Sequence, residues 1–206
     1  MTLSASEVNA LKRAPEVDGV PAVFLERWSP RSFTEGEVSA ADLRRVFEAA
    51  RWTASSVNGQ PWRYIVAAKG TPVHAKIVSS LAGFNKEWAP KAPVLILGAA
   101  LARTAKGEHN PYGMYDLGAA SSMLTLAAAE LGLATHQMAG FDRDVARREL
   151  AIPEEYELGA VIALGYQGEP AALSSEELIK RELAPRERKP LTEWVFSAWG
   201  VPANLA

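Results

Sequence analysis

Apolar positions along the chain switch repeatedly between a helical and a strand period. Ser39 and Asp42 stand three apart, as a capping box requires, and Leu43, Val46, Phe47 and Ala50 follow at helical intervals, which predicts a helix over about 40–52. The next stretch, "TASSVNGQPWRYIV" from 53 to 66, opens with Ser, Asn, Gly and Pro, which disfavour continuing the helix. The run 64–68 then reads as a buried strand. Thr71-Pro72 has the form of an N-cap with proline at the first helical position, starting a helix through Val73, Ile77 and Leu81. A second strand is expected at 93–98. Residues 102–114, "ARTAKGEHNPYGM", follow neither period and mix charge with Gly and Pro, as a surface loop or lid does.

From 116 to 131 apolar and small residues cover nearly every face of a helix, so burial on several sides is expected, and Gly118, Ala119, Ser121 and Ser122 would let another helix come near. Short apolar segments at 134–139 and 160–166 enclose a helix capped by Asp142 and ended by Pro153. Strands and helices alternate without a repeat. The tail "APRERKPLTEWVFSAWGVPANLA" carries Trp194, Phe196 and Trp199 among three prolines. That many aromatics imply docking, either onto a second subunit or as a C-terminal strand on the chain's own domain. Trp52 and Trp62 read most simply as core.

The chain has 206 residues, which favours a single domain over 1–206. Hydrophobic residues make up 48% and charged ones 22%, the balance of an ordinary folded protein. A net charge of -2 supplies no positive field for a polyanion, so nucleic acid is not an expected partner. With no cysteine there is no disulfide framework, thiolate nucleophile or cysteine-ligated metal. Glu7 and Lys12 interrupt any secretory-type apolar stretch, and the uncharged run between Asp116 and Glu130 is too short to span a bilayer, so a cytoplasmic, membrane-free protein is expected.

Candidate chemistry begins with "ERWSPRSF", 26–33. Pro30 biases Ser29 away from helix, and an extended backbone sends Arg27, Ser29 and Arg31 to one side. Two forked guanidinium groups and a hydroxyl suit phosphate oxygens, although a solvated arginine pair fits the local spacing as well. Arg186, Arg188 and Lys189 form a later basic cluster open to the same two readings. His74, His109 and His136 are too scattered for a metal site; His109 lies in the loop where it can touch substrate, and His136 fits a hydrogen-bonded core position. Ser55 and Ser56 lack a nucleophile elbow, and no glycine fingerprint for a Rossmann site is present.

Taken in order, "RWSPRSF", "ASSVNGQPWRYIV", "AGFD", "VIALGY" and "RERKP" resemble the FMN-dependent nitroreductase family over roughly residues 21 to 191. The resemblance implies an α+β fold with a central, mostly antiparallel sheet flanked by helices. It also implies a homodimer with FMN at its interface and a C-terminal arm, about 184–206, extending over the partner. NAD(P)H would be a transient reductant, and a nitroaromatic, a quinone or a related electron-poor small molecule would be the acceptor in a ping-pong cycle. Similar sequences also include reductive dehalogenases and dehydrogenases, and a non-catalytic flavin-binding dimer is a further possibility.

By the same resemblance, Arg27, Ser29, Arg186 and Arg188 are phosphate ligands, and Arg31 is the cation near flavin N1 and the C2 carbonyl. Ala54, Ser55, Ser56 and Asn58 lie against the isoalloxazine, and Asn85 meets its pyrimidine edge. Ala139 and Gly140 form the turn near N5, where a peptide N–H assists, although Gly140 reads equally well as a strand-end turn glycine. No side chain is assigned as catalytic, because the cofactor carries the chemistry. The sequence departs from the family pattern at Trp28, within the phosphate segment, where many members have arginine. It departs again at Ala54, where proline is commoner, and at Trp88, where some members offer lysine to the flavin.

Overall fold

The computed structural model describes residues 3–104 and 106–205. The helices are α1 (Ala5–Lys12), α2 (Ala22–Glu26), α3 (Ala40–Arg51), α4 (Pro72–Ser80), α5 (Asn85–Trp88), α6 (Gly113–Glu130), α7 (Arg143–Leu150) and α8 (Glu176–Leu183). Strands β1 (Trp62–Ala68), β2 (Val94–Leu101), β3 (Ala134–Met138) and β4 (Tyr156–Gly165) form one sheet in the order β1-β2-β4-β3, every pair antiparallel. β5 (Phe196–Ala198) and β6 (Val201–Pro202) make a separate hairpin. The architecture is the α+β fold expected from the sequence.

Helix starts follow the local chemistry. The side chains of Ser39, Thr71, Asp142 and Ser175 each accept a bond from a first-turn N–H of the helix behind them. α7 stops at Leu150, short of Pro153, because Ala151 turns into the left-handed region at φ 52°.

β2 is central and buried on both faces, and its side chains alternate between two cores. Leu95, Leu97 and Ala99 join Leu158, Val161 and Ala163 of β4 beneath α4, α5 and α7. Val94 and Ile96 join Ile162 and Leu164 beneath α3 and α6, with Val46, Ala50, Leu124 and Ala128. The β2–β4 register slips between Leu97 and Ala99, a bulge that explains how Leu158 and Val161, three apart, share a face. Leu117 of α6 sits over this bulge: a Cβ on Gly159 would lie 2.6 Å from Leu117 Cδ2, and one on Gly98 would lie 3.3 Å from Cδ1. The two bare α-carbons let the start of α6 approach the sheet.

Three expectations change. β1 is an edge strand with only Ala67 fully buried, because β2 covers one side and nothing in the described chain covers the other. α6 is buried along one stripe, while Tyr115, Gly118, Ser122 and Met123 face outward. Trp52 is 78% exposed, with Arg51 lying over its ring, so it is not core; it caps the end of α3, where the chain has already turned from the sheet. The last part of the tail folds into the β5–β6 hairpin instead of adding a strand to the main sheet, with Trp194 exposed and Trp199 97% exposed.

Candidate active site

The segment 27–34 runs extended beside the end of β4. Phe33 bridges Gln167, Thr34 N donates to Tyr166 O at 2.9 Å, and Gly168 N donates to Ser32 O at 2.8 Å. Phe33 stacks on Trp88, whose other neighbour is the His136 ring at 4.6 Å. Pro30 and Trp28 are buried, while Arg27, Ser29 and Arg31 are half-exposed, the alternation expected of an extended chain.

Around this segment the predicted cations gather. Arg186 donates from Nη1 to Arg27 O and from Nη2 to Leu25 O, tying the 184–190 stretch to the end of α2. Burial pushes the Arg27 guanidinium below its ordinary value, and neighbouring Arg188 adds to the effect; Arg186 is lowered by burial, then by Arg27 and Arg188. Three guanidinium groups thus feel one another, and among the described residues no carboxylate forms an ion pair with any of them. Arginine keeps its proton at such shifts, so the crowding creates an unsatisfied demand for an anion. Arg27 and Arg188 present that charge outward, whereas Arg186 mainly fixes the backbone. The Trp28 indole faces inward and donates to Asn9 Oδ1 at 2.7 Å, with Lys12 over its ring, which leaves only its backbone to the site.

The loop before β1 has an unusual backbone. Val57, Asn58 and Gln60 hold φ of 46°, 55° and 44°, conformations that non-glycine residues adopt at a cost. Ser55 Oγ accepts from Gln60 N at 3.0 Å, and Ser56 N donates to Asp116 Oδ2 at 3.2 Å. Asp116, buried in the first turn of α6, reaches the loop because Leu117 is seated in the sheet's bulge. Ala54 and Asn58 are exposed, and Val57 is 99% exposed. The loop therefore leaves small side chains and peptide groups exposed.

A third piece lies past β3. Gly140 O accepts from Ala82 N at 3.0 Å and from Asn85 Nδ2 at 3.0 Å, while its own N–H, on an exposed residue, donates to nothing in the described chain. A Cβ at Gly140 would lie 2.7 Å from Asn85 Nδ2, so the contact requires glycine. Ala139 and Gly140 are both exposed, and Asn85 acts first on the turn itself. Phe84, Tyr112 and Tyr115 are exposed and His109 is exposed in its loop. A cleft of about 760 Å³ lies elsewhere, between α1, α2 and the β3 end of the sheet, and of the candidate site residues it includes Arg27 and Trp28. The arginines gather beside the 27–34 segment, whereas the loop and the turn face outward.

Residues passed over in the sequence also matter. Glu182 is 1% exposed and accepts from Arg31 N at 2.9 and 3.1 Å and from Ser32 N at 3.2 Å; its carboxylate lies 3.7 Å from Arg31 Nη1. Burial raises its pKa, opposed by those N–H bonds and by Arg31 and Lys12. Lys12 is buried, donates to Ala184 O, and is pushed down by burial. Each sits four residues after a fully buried apolar residue, Leu178 and Val8, so a charge on the buried stripe of a helix was the available signal.

The nitroreductase family model matches residues 25–84 and 67–166, spanning the arginine segment, the loop, the sheet and the Gly140 turn. The chain belongs to the nitroreductase family. An uncharacterised protein of Mycolicibacterium smegmatis is 35% identical over 152 residues, 68% of this chain and 99% of the relative. A protein of Archaeoglobus fulgidus named "Putative NADH dehydrogenase/NAD(P)H nitroreductase" is 30% identical over 150 residues, covering 70% of this chain and 83% of its own. Among solved structures, one described as "the oxidoreductase containing FMN" superposes with a TM-score of 0.83 at 30% identity, over 89% of this nitroreductase and 94% of that chain.

Proposed function

We propose that this nitroreductase is a homodimeric FMN-dependent oxidoreductase that uses NAD(P)H to reduce nitroaromatic, quinone or related electron-poor acceptors by a ping-pong mechanism. The observation that carries the reading is the cluster of Arg27, Arg186 and Arg188, crowded, partly buried and without a carboxylate. A phosphoryl group is the anion such a fork of donors fits. The FMN-containing structure at 30% identity and the name of the Archaeoglobus relative support the cofactor and the reductant.

When bound, FMN would supply the redox chemistry that links the reductant to the acceptor. Arg27 and Arg188 would hold the phosphate, with Ser29 between them, and Arg186 keeps their two segments together. Arg31 would supply a positive charge near the N1 edge, and the Gly140 N–H would be available to N5. The Ala54–Ser55–Ser56–Asn58 loop would lie against the ring, offered to the partner subunit, and Asn85 holds the Gly140 turn in place. The outward face of α6 and the exposed Trp194 and Trp199 supply surfaces for the second copy. Among the described residues no helix is long and apolar enough to cross a membrane.

The test is reconstitution. Purified protein loaded with FMN should show a flavin spectrum that bleaches anaerobically with NADH or NADPH and recovers with a quinone. Arg27→Ala and Arg188→Ala should each weaken FMN binding about tenfold or more, the loss of one charge-assisted contact of roughly 1.5–3 kcal/mol. Unchanged affinity in both variants refutes the phosphate assignment, and a protein that cannot be loaded with FMN refutes the function.

A further inference from the structure

A buried carboxylate and a half-buried imidazole from different elements grip a single peptide unit. The Pro30 carbonyl meets His136 Nδ1 at 3.0 Å, and the Arg31 N–H at the other end of the same peptide bond donates to Glu182. A carbonyl oxygen only accepts, so the His136 proton sits on Nδ1, with the ring wedged against Trp88. Burial pushes His136 down to about 4, and Arg31 adds to this, so the ring is neutral near pH 7. Glu182 also receives Ser32 N–H and faces the Arg31 guanidinium. α8 brings Glu182 and β3 brings His136, and the two share no other role in binding or catalysis.

We propose that Glu182 and His136 are positioning residues that hold the Pro30–Arg31 peptide from its two ends and thereby fix the Arg31 guanidinium at its post, with Glu182 also moderating the charge that the post presents. The inference rests on the FMN reading above, in which that post is the N1 edge of the ring. Arg31 is half-exposed, and an unrestrained arginine would sample many rotamers; a carboxylate behind it and a fixed backbone beneath it remove that freedom. Lys12 and Arg181 also lie within Coulombic reach of this pair, Arg181 with Glu177 as its own partner, and among the described residues Glu182 is the carboxylate that pairs with Arg31. Removing its charge leaves the positive field at the flavin uncompensated, which favours the reduced, more negative form of the bound flavin.

The experiment compares FMN-loaded wild type, Glu182→Gln and Arg31→Gln by anaerobic spectroelectrochemistry. The glutamine at 182 still accepts from the Arg31 N–H but carries no charge. Its preference for reduced over oxidised flavin should rise about tenfold, an upward shift of about 30 mV for a two-electron couple, and Arg31→Gln should move the potential in the opposite direction. A midpoint in Glu182→Gln that is unchanged or lowered, while Arg31→Gln shifts it, overturns the role of Glu182 and leaves the FMN reading standing. Amide exchange in unliganded wild-type protein reads the grip independently of the flavin and of any variant that fails to fold. Arg31 and Ser32 N–H should be protected to the level of β2, and exchange as fast as in the exposed 57–60 loop overturns the proposal. Failure of wild type to bind FMN overturns the reading on which the proposal depends.

Discussion

His136 makes the fold sensitive to acid in a calculable way. Its ring is held neutral by burial, with a pKa of about 4 against an ordinary value of 6.5. In the unfolded chain it takes up a proton as pH falls through 6.5, while the folded chain resists until about 4, so the unfolded state binds more protons throughout that window. The stability this neutral ring allows is therefore complete above pH 6.5 and lost progressively down to about 4. At about 1.4 kcal/mol per pH unit the loss reaches roughly 3 kcal/mol, a sizeable part of a stability of 5–15 kcal/mol. Glu182, raised by burial, works the opposite way, keeping its proton to higher pH in the fold than in the unfolded chain. The contribution of His136 must therefore be read by difference. The perturbation is His136→Asn, which can still donate to the Pro30 carbonyl but does not titrate. Urea denaturation at half-unit steps from pH 4 to 8 should show the variant less stable near neutrality, from lost packing on Trp88, with the gap to wild type narrowing by roughly 3 kcal/mol toward pH 4. A gap that stays constant across the range would refute a neutral, buried His136.

Further expectations concern the loop, the turn and a helix end. Gly140→Ala should displace Asn85 from its 3.0 Å bond and lower both stability and FMN affinity, by about 1–3 kcal/mol in stability. Adding Asn85→Ala should recover part of the stability, since the obstructing atom is gone, and calorimetry of the two variants checks this. Asp116→Ala removes the acceptor for the Ser56 N–H, so that amide should lose exchange protection and FMN binding should weaken by about 1 kcal/mol or more, with α6 itself intact by circular dichroism. Ala151→Gly relieves a left-handed residue far from the site and should raise the melting temperature by a few degrees, for a gain of about 0.5–1 kcal/mol, with activity unaltered.

The elements with a cap and a clear period could be read from the sequence: α3 behind Ser39, α4 behind Thr71-Pro72 and α7 behind Asp142 lie where the pattern puts them. Strand β1 was located but its burial was not, because a run of apolar residues says nothing about whether a neighbour covers the edge. Trp52 misled for a related reason: size and apolarity favour the core, but its position at the end of α3 decided its exposure. The arginine segment was legible as chemistry, and its convergence with Arg186 and Arg188, some 160 positions away, emerged only from the fold and from family resemblance. Glu182 and Asp116 escaped notice because each serves backbone N–H groups distant in sequence, and such partners leave no local spacing to detect.

The notch at Gly98 and Gly159 has a consequence for how the 53–60 loop is located. Because Leu117 is lodged in that notch, Asp116 is referenced to the middle of the sheet, and through it Ser56 is anchored to the β2–β4 pair. The exposed tip at 57–60 can therefore exchange side chains while its root stays where the sheet puts it. A single methyl group added at either glycine would be felt some distance away as a shift of that root, with the tip's own sequence untouched.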